Sequence, residues 1–65
     1  MAAELAPLLS SADVAELLDV SERTLEFWRY ARKGPAYLKV GKRVRYRPAD
    51  VEAYLEANRQ SAEAG

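Results

Sequence analysis

Apolar residues recur at helical spacing three times along the chain and alternate once. The first helical pattern is Val14, Leu17 and Leu18, at i, i+3 and i+4, which marks one face of a helix. Ser10 opens it, and with Asp13 it makes a capping-box-like pair in which Asp replaces the usual Glu. Leu9 and Val14 stand at hydrophobic-staple spacing across that cap. The pattern stops at Asp19. The second helix repeats the start, with Ser21 as the cap and Val20 and Leu25 as the staple. Leu25, Trp28 and Ala31 mark its inward face, with Thr24 beside them. At 100° per residue the opposite face carries Glu22, Glu26, Tyr30 and Lys33, flanked by Arg23, Phe27 and Arg29. Gly34-Pro35 is read as the end of this helix, with Gly34 taking the left-handed cap and Pro35 unable to continue. A last helix opens at Pro48 with Asp50 in its first turn. Tyr46 and Val51 repeat the staple. Val51, Tyr54 and Leu55 form its apolar face, which fades near Asn58–Arg59.

The alternating stretch runs from Tyr37 to Tyr46, where Leu38 and Val40 bracket Lys39, and Val44 and Tyr46 bracket Arg45. A two-residue Gly41-Lys42 turn would set Val40 opposite Arg43 and Leu38 opposite Arg45. A three-residue loop, Gly41-Lys42-Arg43, pairs Val40 with Val44 and Leu38 with Tyr46. It also places Lys39 and Arg45 together on the open face. Burial of one face sets register, so the three-residue loop is expected. Only Asp19 and Val20 separate the first helical pattern from the second cap, which forces a sharp turn between packed helices. The expected fold is mainly α with a small β-hairpin. It is a winged helix-turn-helix: a helix-turn-helix, a two-stranded antiparallel wing and a C-terminal helix. It forms a single domain over 1–65 with an ordered core of about 8–58 and frayed ends at Met1–Ala6 and roughly Gln60–Gly65.

Composition narrows the function. Among 65 residues there is neither cysteine nor histidine. That removes disulfides and thiolate metal sites, the commonest metal ligand and the commonest general base near neutral pH. No enzyme constellation and no cofactor site is read. No apolar run approaches a membrane span. Met1–Pro7 carries Glu4 and no basic residue, unlike a signal peptide, so a cytoplasmic location is expected. The net charge is zero, yet its distribution is not even. Residues 1–22 carry five acidic side chains and nothing basic. Residues 23–47 carry nine basic side chains against Glu26 alone, and residues 48–65 carry four acids against Arg59. A polyanion touching the middle block would meet a strongly positive surface.

A helix-turn-helix followed by a basic hairpin suits duplex DNA. The second helix offers a polar face to the major groove, where base edges are distinguishable. Lys39, Lys42, Arg43 and Arg45 on the hairpin would hold phosphates or reach a neighbouring minor groove. The first helix is acidic at its charged positions and cannot lie flat on the backbone. Its N-terminus still offers Ser10, Ser11 and free amides to a phosphate. The runs LLSSADVAELLDVSERTLEFW (Leu8–Trp28) and GPAYLKVGKRVRYRPADVEAYL (Gly34–Leu55) resemble the excisionase and AlpA-type branch of the MerR-like winged helix-turn-helix proteins. The resemblance implies that the helix opening with Ser21, Glu22, Arg23 and Thr24 reads DNA and that the hairpin around Gly41 is the wing. Asp19 stands where that family usually has Gly in the turn, and Asp tolerates the left-handed conformation. Phe27 stands where the family usually has a polar residue. Packing under the wing, contact with a thymine methyl and a protein interface are its three alternatives.

The candidate DNA-binding residues are therefore Ser21, Glu22, Arg23, Thr24, Glu26, Tyr30, Lys33, Lys39, Lys42, Arg43 and Arg45. Arg23, Lys42, Arg43 and Arg45 are the firmest contacts. Tyr30 divides between base contact and solvent. Glu26 either accepts from cytosine N4 or bridges to Arg29 or Tyr30. Arg32, at the margin of the inward face, is either a structural ion pair or a phosphate ligand, and Arg47 serves either role. Trp28, Tyr37, Tyr46 and Tyr54 are packing residues. The resemblance implies an excisionase encoded by a bacterium, phage or mobile element, binding double-stranded DNA and assisting an integrase. One module this small would bind modestly, so cooperative binding of several copies is expected. A small AlpA-like transcription regulator is the alternative. A protein-interaction module without DNA is the distant one.

Overall fold

The computed structural model describes residues 7–60. The expected fraying of Met1–Ala6 and of 61–65, and the charges of Glu4 and Glu63, lie outside the described residues. In chain order the elements are β1 (Leu9–Ser10), α1 (Ser11–Leu18), α2 (Glu22–Tyr30), β2 (Leu38–Val40), β3 (Arg43–Tyr46) and α3 (Pro48–Ala57). Three helices and a small antiparallel hairpin make the winged helix-turn-helix that the patterns predict.

The helix starts follow from local chemistry. Ser10 Oγ accepts the Asp13 N–H at 3.0 Å, and Asp13 Oδ2 accepts the Ser10 N–H at 3.0 Å, a complete capping box. Ser21 Oγ accepts the Thr24 N–H at 3.0 Å to open α2. Pro48 opens α3, where its missing N–H costs no helical bond. Both helices of the pair end in a left-handed residue that returns two amides to the last turn, a Schellman arrangement. In α1 the residue is Asp19 (φ 58°), with Val20 N–H on the Ala15 carbonyl at 3.0 Å and Asp19 N–H on Glu16 at 3.3 Å. In α2 it is Arg32 (φ 62°), with Lys33 N–H on Trp28 at 2.8 Å and Arg32 N–H on Arg29 at 3.2 Å. The left-handed cap of α2 is thus Arg32 and not the expected Gly34. Gly34 (φ 85°) is needed next door, because a Cβ there would stand 2.6 Å from Trp28 Cε3. The early end of α2 leaves Ala31 exposed and carries Lys33 off the helix, contrary to the periodicity.

The sheet has three strands in the order β1-β3-β2, so the expected two-stranded wing gains a strand. Leu9 and Ser10 pair with Tyr46 and Arg45. The hairpin register pairs Leu38 with Arg45, Lys39 with Val44 and Val40 with Arg43. The connection is therefore Gly41-Lys42, and the expected three-residue loop is wrong. The positive φ falls on Gly41 (66°) and not on Lys42, which suits a type II′ hairpin turn. The expectation rested on burying Val40 and Leu38 with Val44 and Tyr46. Only Tyr46 and Val44 reach the core; Val40, at the wing tip, stays 51% exposed, so nothing rewards that register.

The core is Val14 and Ala15 of α1, Leu25 of α2, Tyr46 of β3 and Val51 of α3, with Leu9, Leu18, Val20, Trp28 and Val44 packed against it. All three staple pairs join this cluster. Trp28 is half-buried and not fully buried; its ring lies 5.6 Å from that of Tyr54. Leu17 and Leu55, expected inward, are exposed, because a small core takes only one edge of each helix face. Tyr37, expected to pack, is 41% exposed but still leans on Tyr46 with ring centroids 6.2 Å apart.

Candidate nucleic-acid interface

The outward face of α2 follows from which side chains the core takes. With Leu25 buried and Trp28 packed inward, Glu22, Arg23, Glu26, Phe27 and Tyr30 stand in solvent. Tyr30 is almost free of contacts, at 87% exposure. Glu22, Arg23 and Glu26 come together with Ser11 and Arg29 around one shallow, open concavity. The sequence places the first three there; Ser11 and Arg29 it places elsewhere or on the flank.

Arg29 is the side chain whose role the pattern does not reveal. Its guanidinium donates to Tyr46 Oη at 2.8 Å and weakly to Ser11 Oγ at 3.4 Å, and lies 5.8 Å from the Tyr37 ring centroid. It ties α2 to the start of α1 and to β3, and it satisfies a tyrosine that is only 1% exposed. Its sole sequence signal is position, one residue past Trp28 at the border of the inward face. Neither expected bridge of Glu26, to Arg29 or to Tyr30, forms. The single ion pair among the described residues is Arg59–Glu56 at 3.2 Å.

Other candidates sit differently from one another. Ser21 and Thr24 spend their hydroxyls on each other and on the cap, with Ser21 Oγ 3.0 Å from Thr24 Oγ1. Lys33 turns back over Phe27, its Nζ 5.7 Å from the ring centroid. Phe27 is 57% exposed and does not pack under the wing, which removes that alternative. Arg32 is exposed in its left-handed turn and makes no ion pair among the described residues. Lys39, Lys42 and Arg43 are exposed on β2, the turn and β3. Arg45 is half-buried. It donates to its own strand's Val44 carbonyl at 2.8 Å, and Lys39 is not its face-mate, since Lys39 pairs with Val44. The α1 N-terminus is already occupied by Asp13, whose carboxyl is held below its ordinary pKa. The backbone hydrogen bond from Ser10 contributes most, then the Ser10 side chain, with the Arg45 charge a lesser cause.

No described helix is long and apolar enough to cross a membrane. None of the curated proteins matches the chain. A family model for a helix-turn-helix domain matches residues 8–59, from just before β1 to just past α3. Such a domain suggests DNA as the partner, and its family is typically non-enzymatic. The capped helix pair, the wing and the matched span agree: the chain belongs to the helix-turn-helix domain family of the AlpA/excisionase type.

Proposed function

We propose that this chain is a sequence-specific double-stranded DNA-binding protein of excisionase type, acting as one winged helix-turn-helix unit. It binds near an attachment site, bends or coats the DNA in several cooperating copies and assists an integrase, performing no chemistry itself. One observation carries the reading. Arg23, Lys39, Lys42 and Arg43 are exposed, and none is engaged in an ion pair or side-chain hydrogen bond among the described residues. They flank a helix whose outer face is free to enter a groove. In this reading α2 meets base edges through Glu22, Arg23, Glu26 and Tyr30, while Lys33 and the wing hold phosphates. Ser21 and Thr24 set the N-terminus of α2 against the backbone, and Arg45 contributes charge from behind the wing tip.

The test is a salt titration of duplex binding. If about five to eight basic residues meet phosphates, log K against log[salt] should slope at roughly −4 to −7, despite the zero net charge. A flat response would overturn the proposal. It would favour a protein-interaction module instead, seeded by Phe27 and Tyr30, which are 57% and 87% exposed. A transcription regulator of the AlpA kind would use the same surface. Footprints at promoters rather than attachment junctions distinguish it.

A further inference from the structure

The outward face of α2 is not the basic surface that the surrounding block suggests. Its charged groups are Glu22, Arg23 and Glu26, because Arg29 is turned inward to Tyr46 and Ser11. A carboxylate beside a phosphate backbone is repelled, so an acid on this face needs an account. Glu22 has one: it is the first residue of α2, where the helix dipole favours an anion. Glu26 has none within the fold. It sits in mid-helix, is exposed, and makes neither an ion pair nor a hydrogen bond among the described residues. A carboxylate only accepts hydrogen bonds. The major groove offers donors on two bases, cytosine N4 and adenine N6. The adenine amino group lies between two acceptors, its own N7 and thymine O4. The cytosine amino group has an acceptor on one side alone, guanine O6. A lone carboxylate is therefore repelled least at a C·G pair.

We propose that Glu26 is a specificity-determining residue that selects a cytosine, through its N4 amino group, in the site bound by α2. The inference rests on the DNA-binding reading above and deepens it. Glu26 accounts for selectivity rather than affinity: at any other base pair the carboxylate is left desolvated against acceptors and phosphates.

The experiment selects binding sites from a randomised duplex library with the parent, Glu26→Gln, Glu26→Ala and the charge control Glu52→Gln. Glu52 is an exposed acid on α3 rather than on α2. The parent should require a C·G pair at one position, with other bases there weakening binding roughly 5- to 150-fold. Glu26→Ala should erase the preference at that position alone while binding to unrelated duplexes holds or tightens. Glu26→Gln should shift the preference toward adenine, which an amide can contact through N6 and N7 together. Glu52→Gln should leave the selected sequence unchanged. If Glu26→Ala tightens all duplexes alike and the selected sequence is unaltered, Glu26 is a solvated charge and the proposal is overturned. If the parent retains no duplex at any salt, the DNA reading itself fails, and this inference with it.

Discussion

The interior of this fold is anchored on one hydroxyl. Tyr46 is 1% exposed, and its Oη accepts from Arg29 at 2.8 Å. Arg29→Met keeps the aliphatic reach and removes the donor, leaving a buried oxygen without a partner, at a cost of about 1–3 kcal/mol. Tyr46→Phe removes the buried oxygen as well and should cost less, under about 1.5 kcal/mol. Urea denaturation of the two variants checks the order, and a neutral Arg29→Met would show that the hydroxyl finds water. Arg29 also marks a limit of reading from sequence. Periodicity leaves it on the flank of the polar face, and only the position of Tyr46 across the fold turns it inward. Ser21 was legible as a cap, but that its hydroxyl bonds that of Thr24 was not.

At the scale of the element, helix starts were the most legible feature, because they depend on residues a few positions apart, whereas the C-terminal cap of α2 fell on Arg32 and not on Gly34. Ser10, Ser21 and Pro48 open their helices as the sequence predicts. The wing register was not legible, because it depends on where the core ends. Alternation in Leu38, Val40, Val44 and Tyr46 cannot tell that Val40 lies beyond the core's reach. The Asp13 cap predicts a pH dependence. Its folded pKa lies below the ordinary 3.8, so the stabilisation is present above that value and is lost as pH falls through the lower folded value. Asp13→Asn should lower Tm near neutral pH, and the gap to the parent should close below 3.8. A gap constant with pH would mean that the charge of Asp13 contributes nothing to the cap. Between α2 and the wing, roles should divide. Arg23→Ala should weaken a preferred duplex by about 1–3 kcal/mol more than a scrambled one. Lys42→Ala or Arg43→Ala should weaken both alike and reduce the salt slope by about one each. Titrations on both duplexes at several salt concentrations decide, and the opposite pattern would make the wing the reader.

The whole molecule has little stability to spare. A core of this size supports roughly 3–5 kcal/mol in total. Trp28→Ala, at a half-buried site packed on Tyr54 and Gly34, should cost about 3 kcal/mol, the low end for such changes, and leave at most about 2 kcal/mol of that stability. A cooperative melt close to the parent's would show that the Trp28 ring contributes little. The fold class was readable because three capped patterns and one alternating stretch occur in an order that few folds share. The pairing of Leu9 and Ser10 with β3 was not, since two residues carry no periodicity. That short pairing shapes how the chain reaches its native state. Leu9 meets Tyr46 only after both helices of the pair and most of the hairpin have been enclosed in a single loop. Closing so long a loop has an entropy cost that local helix and hairpin contacts do not share. The helices and the hairpin can flicker into being separately, but joining β1 to β3 locks them together. It also brings Ser10, which caps α1, into register with Arg45. The wing and the helix pair should therefore fold and unfold as one cooperative event, with the rate set by ring closure rather than by any helix.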